Sequence, residues 1–243
     1  MATLTCQCGA VQLRFPKSLP RFKSRCCCVD CLQRLKWCEE QGGPKMPREV
    51  MERQVPPTIT YMDNRFEVVK GLVSLEIFKL REATETRNCV ATCCHTLMLG
   101  CHPCYNGNAV CAFMDTLKCQ GVEDTKVRFY TSVADWVSAE YPKLEPKLYG
   151  MYQDHSAPSE QQPSFVFTEP GGFEPADPAK APALAATLQD FGAAFNLLPP
   201  DEPGCIGFDD LPGAASPAVL GLEEAQESMR RRGMAKLRAV GGS

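Results

Sequence analysis

No stretch of this chain approaches the ~18–20 consecutive apolar residues that a membrane span needs. Neither sign of charge is in excess, since 26 basic and 29 acidic residues leave a net charge of −3. That balance gives no global reason to expect nucleic acid or an anionic membrane as a partner. The opening MATLTCQCGA lacks the basic-then-apolar pattern of a signal peptide, so a cytoplasmic location is expected, with the nucleus as the alternative. Helix signals are scarce in the first half. What remains is an ordinary globular composition, 44% hydrophobic over 243 residues, enough for one good-sized domain plus an extension or for two small domains.

Cysteine is the exception. There are 15, an odd number, with no secretion signal before them. A disulfide scaffold is therefore not expected, and neighbours such as Cys26 and Cys27 are poorly placed to bridge each other. In a reducing compartment, cysteine this dense points to metal binding or thiol chemistry. Cys38, Cys111, Cys119 and Cys205 stand alone and read as small buried hydrophobes.

Of the 15 cysteines, 14 precede residue 120, and the strand signals share that half. Val11, Leu13 and Phe15 alternate with polar residues after a Cys-Gly-Ala turn, the period of a half-buried strand. TITYM (58–62), RFEVV (65–69), LVSLEIFKL (72–80), NCVAT (88–92), AVCAFM (109–114) and KVRFYTSV (126–133) continue the series, punctuated by Asp63–Asn64 and Gly71. One short helix is expected around Cys31–Glu40. The reading is a mainly β domain over residues 3–150.

Residues 151–243 differ. They hold 11 of the 20 prolines, and from 151 to 227 there are 13 acidic residues against one basic, Lys180. That extension reads as mostly irregular. Two helices stand out in it, ALAATLQDFGAAF (183–195) and a terminal helix entered through Ser216-Pro217, a good N-cap followed by Pro at the first helical position. The acids of the second (Glu223, Glu224, Glu227) come early and its bases (Arg230, Arg231, Arg232, Lys236, Arg238) late, which suits the helix dipole.

Three cysteine groups carry the chemistry: Cys6-x-Cys8 followed by Gly9; Cys26, Cys28 and Cys31, with Cys27 interleaved; and Cys93-Cys94, with Cys89 before and Cys101-x-x-Cys104 after. Thiolates bind Zn²⁺ tetrahedrally at about 2.3 Å; four close the site and three leave a position open. CxC and CxxC turns bring sulfurs together without strain. The expectation is two zinc sites: a four-sulfur structural site from Cys6, Cys8 and two later cysteines, and a three-sulfur site from Cys26, Cys28 and Cys31. By spacing alone, Cys101-x-x-Cys104 is a better knuckle than Cys93-Cys94. Trp37 and Tyr105 read as core packing, with a place in a site wall as the alternative, and His102 as a packing residue, a metal ligand or a proton shuttle.

CQCGAVQLRF, then CCVDCLQ, then RNCVATCCHTLML resembles the glutathione-dependent formaldehyde-activating enzyme family, which also contains centromere protein V. The match spans roughly residues 3–135. The resemblance implies a β-tent of small antiparallel sheets, a structural zinc and a second, catalytic zinc. It implies a carbon–sulfur lyase joining glutathione, or a similar small thiol, with formaldehyde. Carried over by residue, Cys6 and Cys8 match the structural pair and Cys26, Cys28 and Cys31 the catalytic triplet. Cys94 matches the second cysteine of the later pair. Its usual partner falls at Ala91, so Cys93 is the substitute ligand, with Cys89, Cys101 and Cys104 in reserve. His95 stands where that family has Gly.

Overall fold

The computed structural model describes residues 1–16, 20–122, 125–132, 135, 149–151, 164–169, 172–177, 179–180 and 182–223. It is mainly β, with two sheets and few helices. Numbered along the chain, the smaller sheet runs β10 (Lys118–Gln120), β1 (Ala2–Thr5), β2 (Gln12–Phe15), β5 (Glu67–Lys70) and is antiparallel throughout. The larger runs β14 (Gly172–Ala176), β13 (Ser164–Glu169), β12 (Tyr149–Met151), β11 (Phe129–Thr131), β3 (Phe22–Cys26), β4 (Thr58–Asp63), β9 (Ala109–Phe113), β8 (Thr96–Cys101), β7 (Arg87–Ala91), β6 (Leu75–Lys79), β15 (Ala218–Val219). Its pairs are antiparallel except β12–β11, β11–β3 and β15–β6.

The larger sheet is covered on both faces because its strands alternate two apolar sets. One set, including Met62, Ile77, Cys89, Val110 and Ala112, packs with Leu4, Leu13 and Phe15 of the smaller sheet. The other, including Phe22, Ile59, Tyr61, Phe78, Phe113 and Phe129, lies under helices α1 (Val29–Glu40) and α3 (Pro182–Asn196). A single-turn helix, α2 (Arg48–Met51), follows α1. In α1 the buried residues Cys31, Leu32, Arg34, Leu35 and Cys38 recur at helical spacing.

The runs at 11–15, 58–62, 88–92 and 109–114 are strands as expected. Within 72–80, Leu72–Ser74 is instead a 3₁₀ turn entered through Gly71, whose φ of 82° and close approach to the Ala10 carbonyl exclude a side chain. The described residues of 151–227 include regular elements: α3 matches the expected helix at 183–195, and β13 and β14 extend the larger sheet. The chain after Ser216-Pro217 runs extended as β15 beside β6, so the expected helix does not start there. The remainder of that helix, with Arg230–Arg238, lies outside the described residues. Among the described residues no helix is long and apolar enough to cross a membrane.

Candidate metal centres

The turn closing the β1–β2 hairpin carries Cys6 and Cys8. The Gly9 amide donates to the Cys6 carbonyl (3.0 Å) and the Val11 amide to the Cys6 sulfur (3.2 Å), and Gly9 takes a φ of 82°. The turn between β7 and β8 carries Cys93 and Cys94. Folding of the smaller sheet against the larger sets the two turns side by side. Sulfur separations are 3.6 Å for Cys6–Cys8, 3.9 Å for Cys6–Cys93, 3.3 Å for Cys8–Cys93 and 3.9 Å for Cys93–Cys94. All four sulfurs lie within 4.8 Å of one another. A tetrahedron with metal–sulfur arms of about 2.3 Å has edges of about 3.8 Å. The four thiols fit a single ion of that kind.

Thr96 fastens the two turns together. Its hydroxyl meets the Cys94 sulfur at 3.0 Å and accepts from the Gln7 amide at 3.1 Å. Burial pushes the Cys94 thiol up, but Thr96 and the Cys8 amide outweigh it and hold the group down at about 6. Burial pushes Cys6 and Cys93 up. Cys94 is thus the favoured thiolate, and a cation is what would let Cys6 and Cys93 ionise beside it.

Cys26, Cys28 and Cys31 form the second group. Cys26 ends β3, Cys28 caps α1 by accepting from the Cys31 amide (3.2 Å), and Cys31 sits in the first turn. The Cys28–Cys31 and Cys26–Cys31 sulfurs are each 3.2 Å apart. Hydrogen bonds from the Cys28 and Cys31 thiols hold Cys26 well below the ordinary thiol range, while the contact with Cys26, with burial added, pushes Cys28 up to about 12 and Cys31 well above its ordinary value. Among the described residues no fourth Cys, His, Asp or Glu completes this group. Cys26 and Cys31 are buried and Cys28 is half-exposed. Cys27 turns away: burial lifts its thiol, and its amide pairs with the Thr131 carbonyl (2.9 Å).

The reserve cysteines are not brought to either group. Cys89 and Cys101 are buried in the layer between the sheets, and Cys101 receives a long contact from Arg87. Cys104 is exposed beside His102. Of the isolated cysteines, Cys38 and Cys111 are buried as expected and Cys119 and Cys205 are half-buried. Trp37 packs on Phe78 and Tyr105 stacks on Phe195, so both are packing residues. Arg34 and Thr96 were not singled out by their sequence context. The signal for Arg34 was its place three residues after Cys31, on the buried face of α1.

Two cysteine clusters able to hold a metal ion are therefore present. No family model matches the chain, and neither a curated protein nor a solved structure matches it.

Proposed function

We propose that the protein is a β-tent, zinc-dependent carbon–sulfur lyase acting on the adduct of a small aldehyde with glutathione or another small thiol. The observation that carries this reading is the Cys26–Cys28–Cys31 group, three sulfurs in mutual contact with the fourth position left to water or substrate and with Cys28 on the accessible side. Zinc held there supplies Lewis acidity, keeping a thiol ionised near neutral pH or polarising a carbonyl. The reaction is R–SH + H₂C=O ⇌ R–S–CH₂OH: the sulfur–carbon bond forms as the thiol proton passes to the carbonyl oxygen, and the reverse cleaves the adduct. The chain adds a buried cation, Arg34, near Cys28 and Cys31. Three thiolates around a divalent ion carry one net negative charge, which Arg34 balances. The Cys6–Cys8–Cys93–Cys94 group is the structural site in this reading.

The alternative is a non-catalytic zinc-binding interaction module. It draws on α3, whose Phe191 and Phe195 pack in the same apolar layer as Cys26 and Cys31. Glutathione and formaldehyde mixed with the protein separate the two. The lyase reading expects the adduct to equilibrate faster, and Cys28→Ser to remove the effect while keeping the cap on α1, since Ser is itself a good N-cap. No acceleration at any protein concentration leaves the binding module.

A further inference from the structure

The four-sulfur group divides into an open half and a sheltered half. Cys8 and Cys93 are exposed, whereas Cys6 is buried and Cys94 is half-buried. The exposed sulfurs stand 3.3 Å apart, against 3.6 Å for Cys6–Cys8 and 3.9 Å for Cys6–Cys93 and Cys93–Cys94. They come from different turns, one between β1 and β2 and the other between β7 and β8, 85 positions apart in the chain. The sheltered sulfurs are engaged by their own surroundings. Cys6 receives the Val11 amide at 3.2 Å, and Cys94 meets the Thr96 hydroxyl at 3.0 Å.

This arrangement favours one sulfur–sulfur bond over the others. Cys93 and Cys94 are neighbours, and a bond between them would close a ring on one planar trans peptide. Cys6 and Cys8 share one tight turn, already closed by the Gly9 amide on the Cys6 carbonyl. A Cys8–Cys93 bond joins two separate turns, and their sulfurs need only close from 3.3 Å to about 2.05 Å. The three-sulfur group has no comparable open pair. Its two 3.2 Å contacts both end on Cys31, which is 5% exposed. A small oxidant arriving from solvent therefore meets two facing thiols at the first group and at most one accessible thiol, Cys28, at the second.

We propose that Cys8 and Cys93 form a redox release for the metal of the four-sulfur group: a small hydroperoxide oxidises the pair to a disulfide, the ion leaves, and the new bond takes over the joining of the two sheets. Metal at this group is required; lyase activity is not. In the first step one of the two sulfurs attacks the peroxide. A sulfur–oxygen bond forms, the O–O bond breaks, and the departing oxygen takes a proton from the thiol or, where that sulfur is metal-bound, from water. The second sulfur then attacks the sulfenic acid. The S–S bond forms and the oxygen leaves as water with a second proton. The sum is 2 RSH + R′OOH → RSSR + R′OH + H₂O, with two electrons passing from the sulfurs to the peroxide. The facing thiol resolves the sulfenic acid before it advances to sulfinic acid. Cys6 and Cys94 then remain, short of the four ligands that close a structural zinc site. The disulfide ties residues 85 positions apart, so it restricts the unfolded chain in place of the ion.

The probe is hydrogen peroxide on the full-length protein loaded with zinc. A chromogenic chelator reports free zinc against a peroxide-free control, and mass spectrometry maps the linked peptides. About one zinc per chain is expected to appear in step with the Cys8–Cys93 peptide pair, while Cys26, Cys28 and Cys31 stay open to alkylation once the chain is unfolded. Dithiothreitol should break the bond and restore zinc uptake. The oxidised, zinc-free protein should unfold at a higher temperature than reduced protein stripped by a chelator. Cys93→Ser removes the resolving thiol, so Cys8 should advance to sulfinic acid instead of pairing. Zinc retained after peroxide, or zinc released with a Cys28–Cys31 pair while Cys8 and Cys93 stay free, overturns the proposal alone. A protein that takes up no zinc overturns it together with the metal reading of the site. The native peptide map decides the question even where Cys93→Ser does not fold.

Discussion

Arg34 is 4% exposed and, among the described residues, forms no ion pair with a carboxylate. It donates to the Asp30 carbonyl (3.1 Å) and the Asn88 side chain (2.8 Å) and lies over the Phe113 ring, while the Asp30 carboxylate is taken by Arg81. A buried unpaired charge costs several kcal/mol. The sulfurs of Cys31, Cys28 and Cys111 surround the guanidinium instead and favour its charged form against the burial. Arg34→Met keeps the length of the side chain and removes the charge. Metal held by the three-sulfur group is then expected to be released to a chelator with about 10–100-fold lower affinity, with the four-sulfur group unchanged. Competition titration of native and variant protein reads this directly, and equal retention would show that Arg34 serves packing alone. His95 is a second telling residue. It takes a φ of 45° between β7 and β8, a conformation that costs a non-glycine side chain about 1 kcal/mol or more.

At the scale of elements, legibility followed exposure. β2 alternates polar and apolar residues, and the sequence shows it. β8 is buried at all six positions and so has no alternation to read. β3 hides its pattern because Ser24 occupies a core position between Lys23 and Arg25. The sulfur groups were legible from spacing, since turns place CxC and CxxC sulfurs together whatever the fold. The choice of Cys93-Cys94 over Cys101-x-x-Cys104 was not, because it depends on which turn faces the β1–β2 hairpin. α3 was legible as a helix, yet its docking draws on residues distant in the chain. Arg21 pairs with Asp63 and donates to the Ala194 and Leu197 carbonyls, both at 2.7 Å, closing the C-terminal end of the helix. Arg21→Met leaves Asp63 uncompensated and is expected to cost about 3–5 kcal/mol. Hydrogen exchange should show α3 losing protection before the sheets do; uniform loss across the chain would assign Arg21 to the sheet core instead.

For the whole molecule, the four-sulfur group is the place where the two sheets are joined by side-chain chemistry as well as by apolar contact. Bound metal stabilises only the folded arrangement, so stability tracks free metal concentration, by about 2.7 kcal/mol at a hundred times the dissociation constant. Thermal unfolding in zinc-buffered solutions is expected to move up steadily with free zinc. Cys8→Ser, at an exposed residue, should remove most of that dependence and Cys28→Ser a separate part. A midpoint indifferent to zinc and to chelators would remove metal from the account of the fold. Elemental analysis of the reduced protein should find close to two zinc ions per chain.

The two sulfur groups also differ in how much chain must exist before they can close. Cys26 and Cys31, with Cys28 between them, are separated by 5 positions, whereas the Cys6 and Cys93 sulfurs meet across a separation of 87. On a ribosome, the first group is complete while most of the protein is still unmade, and Cys6 and Cys8 must wait for the β7–β8 turn. Metal supplied during synthesis therefore meets a local site first, and the union of the two sheets comes as a late, separately timed event.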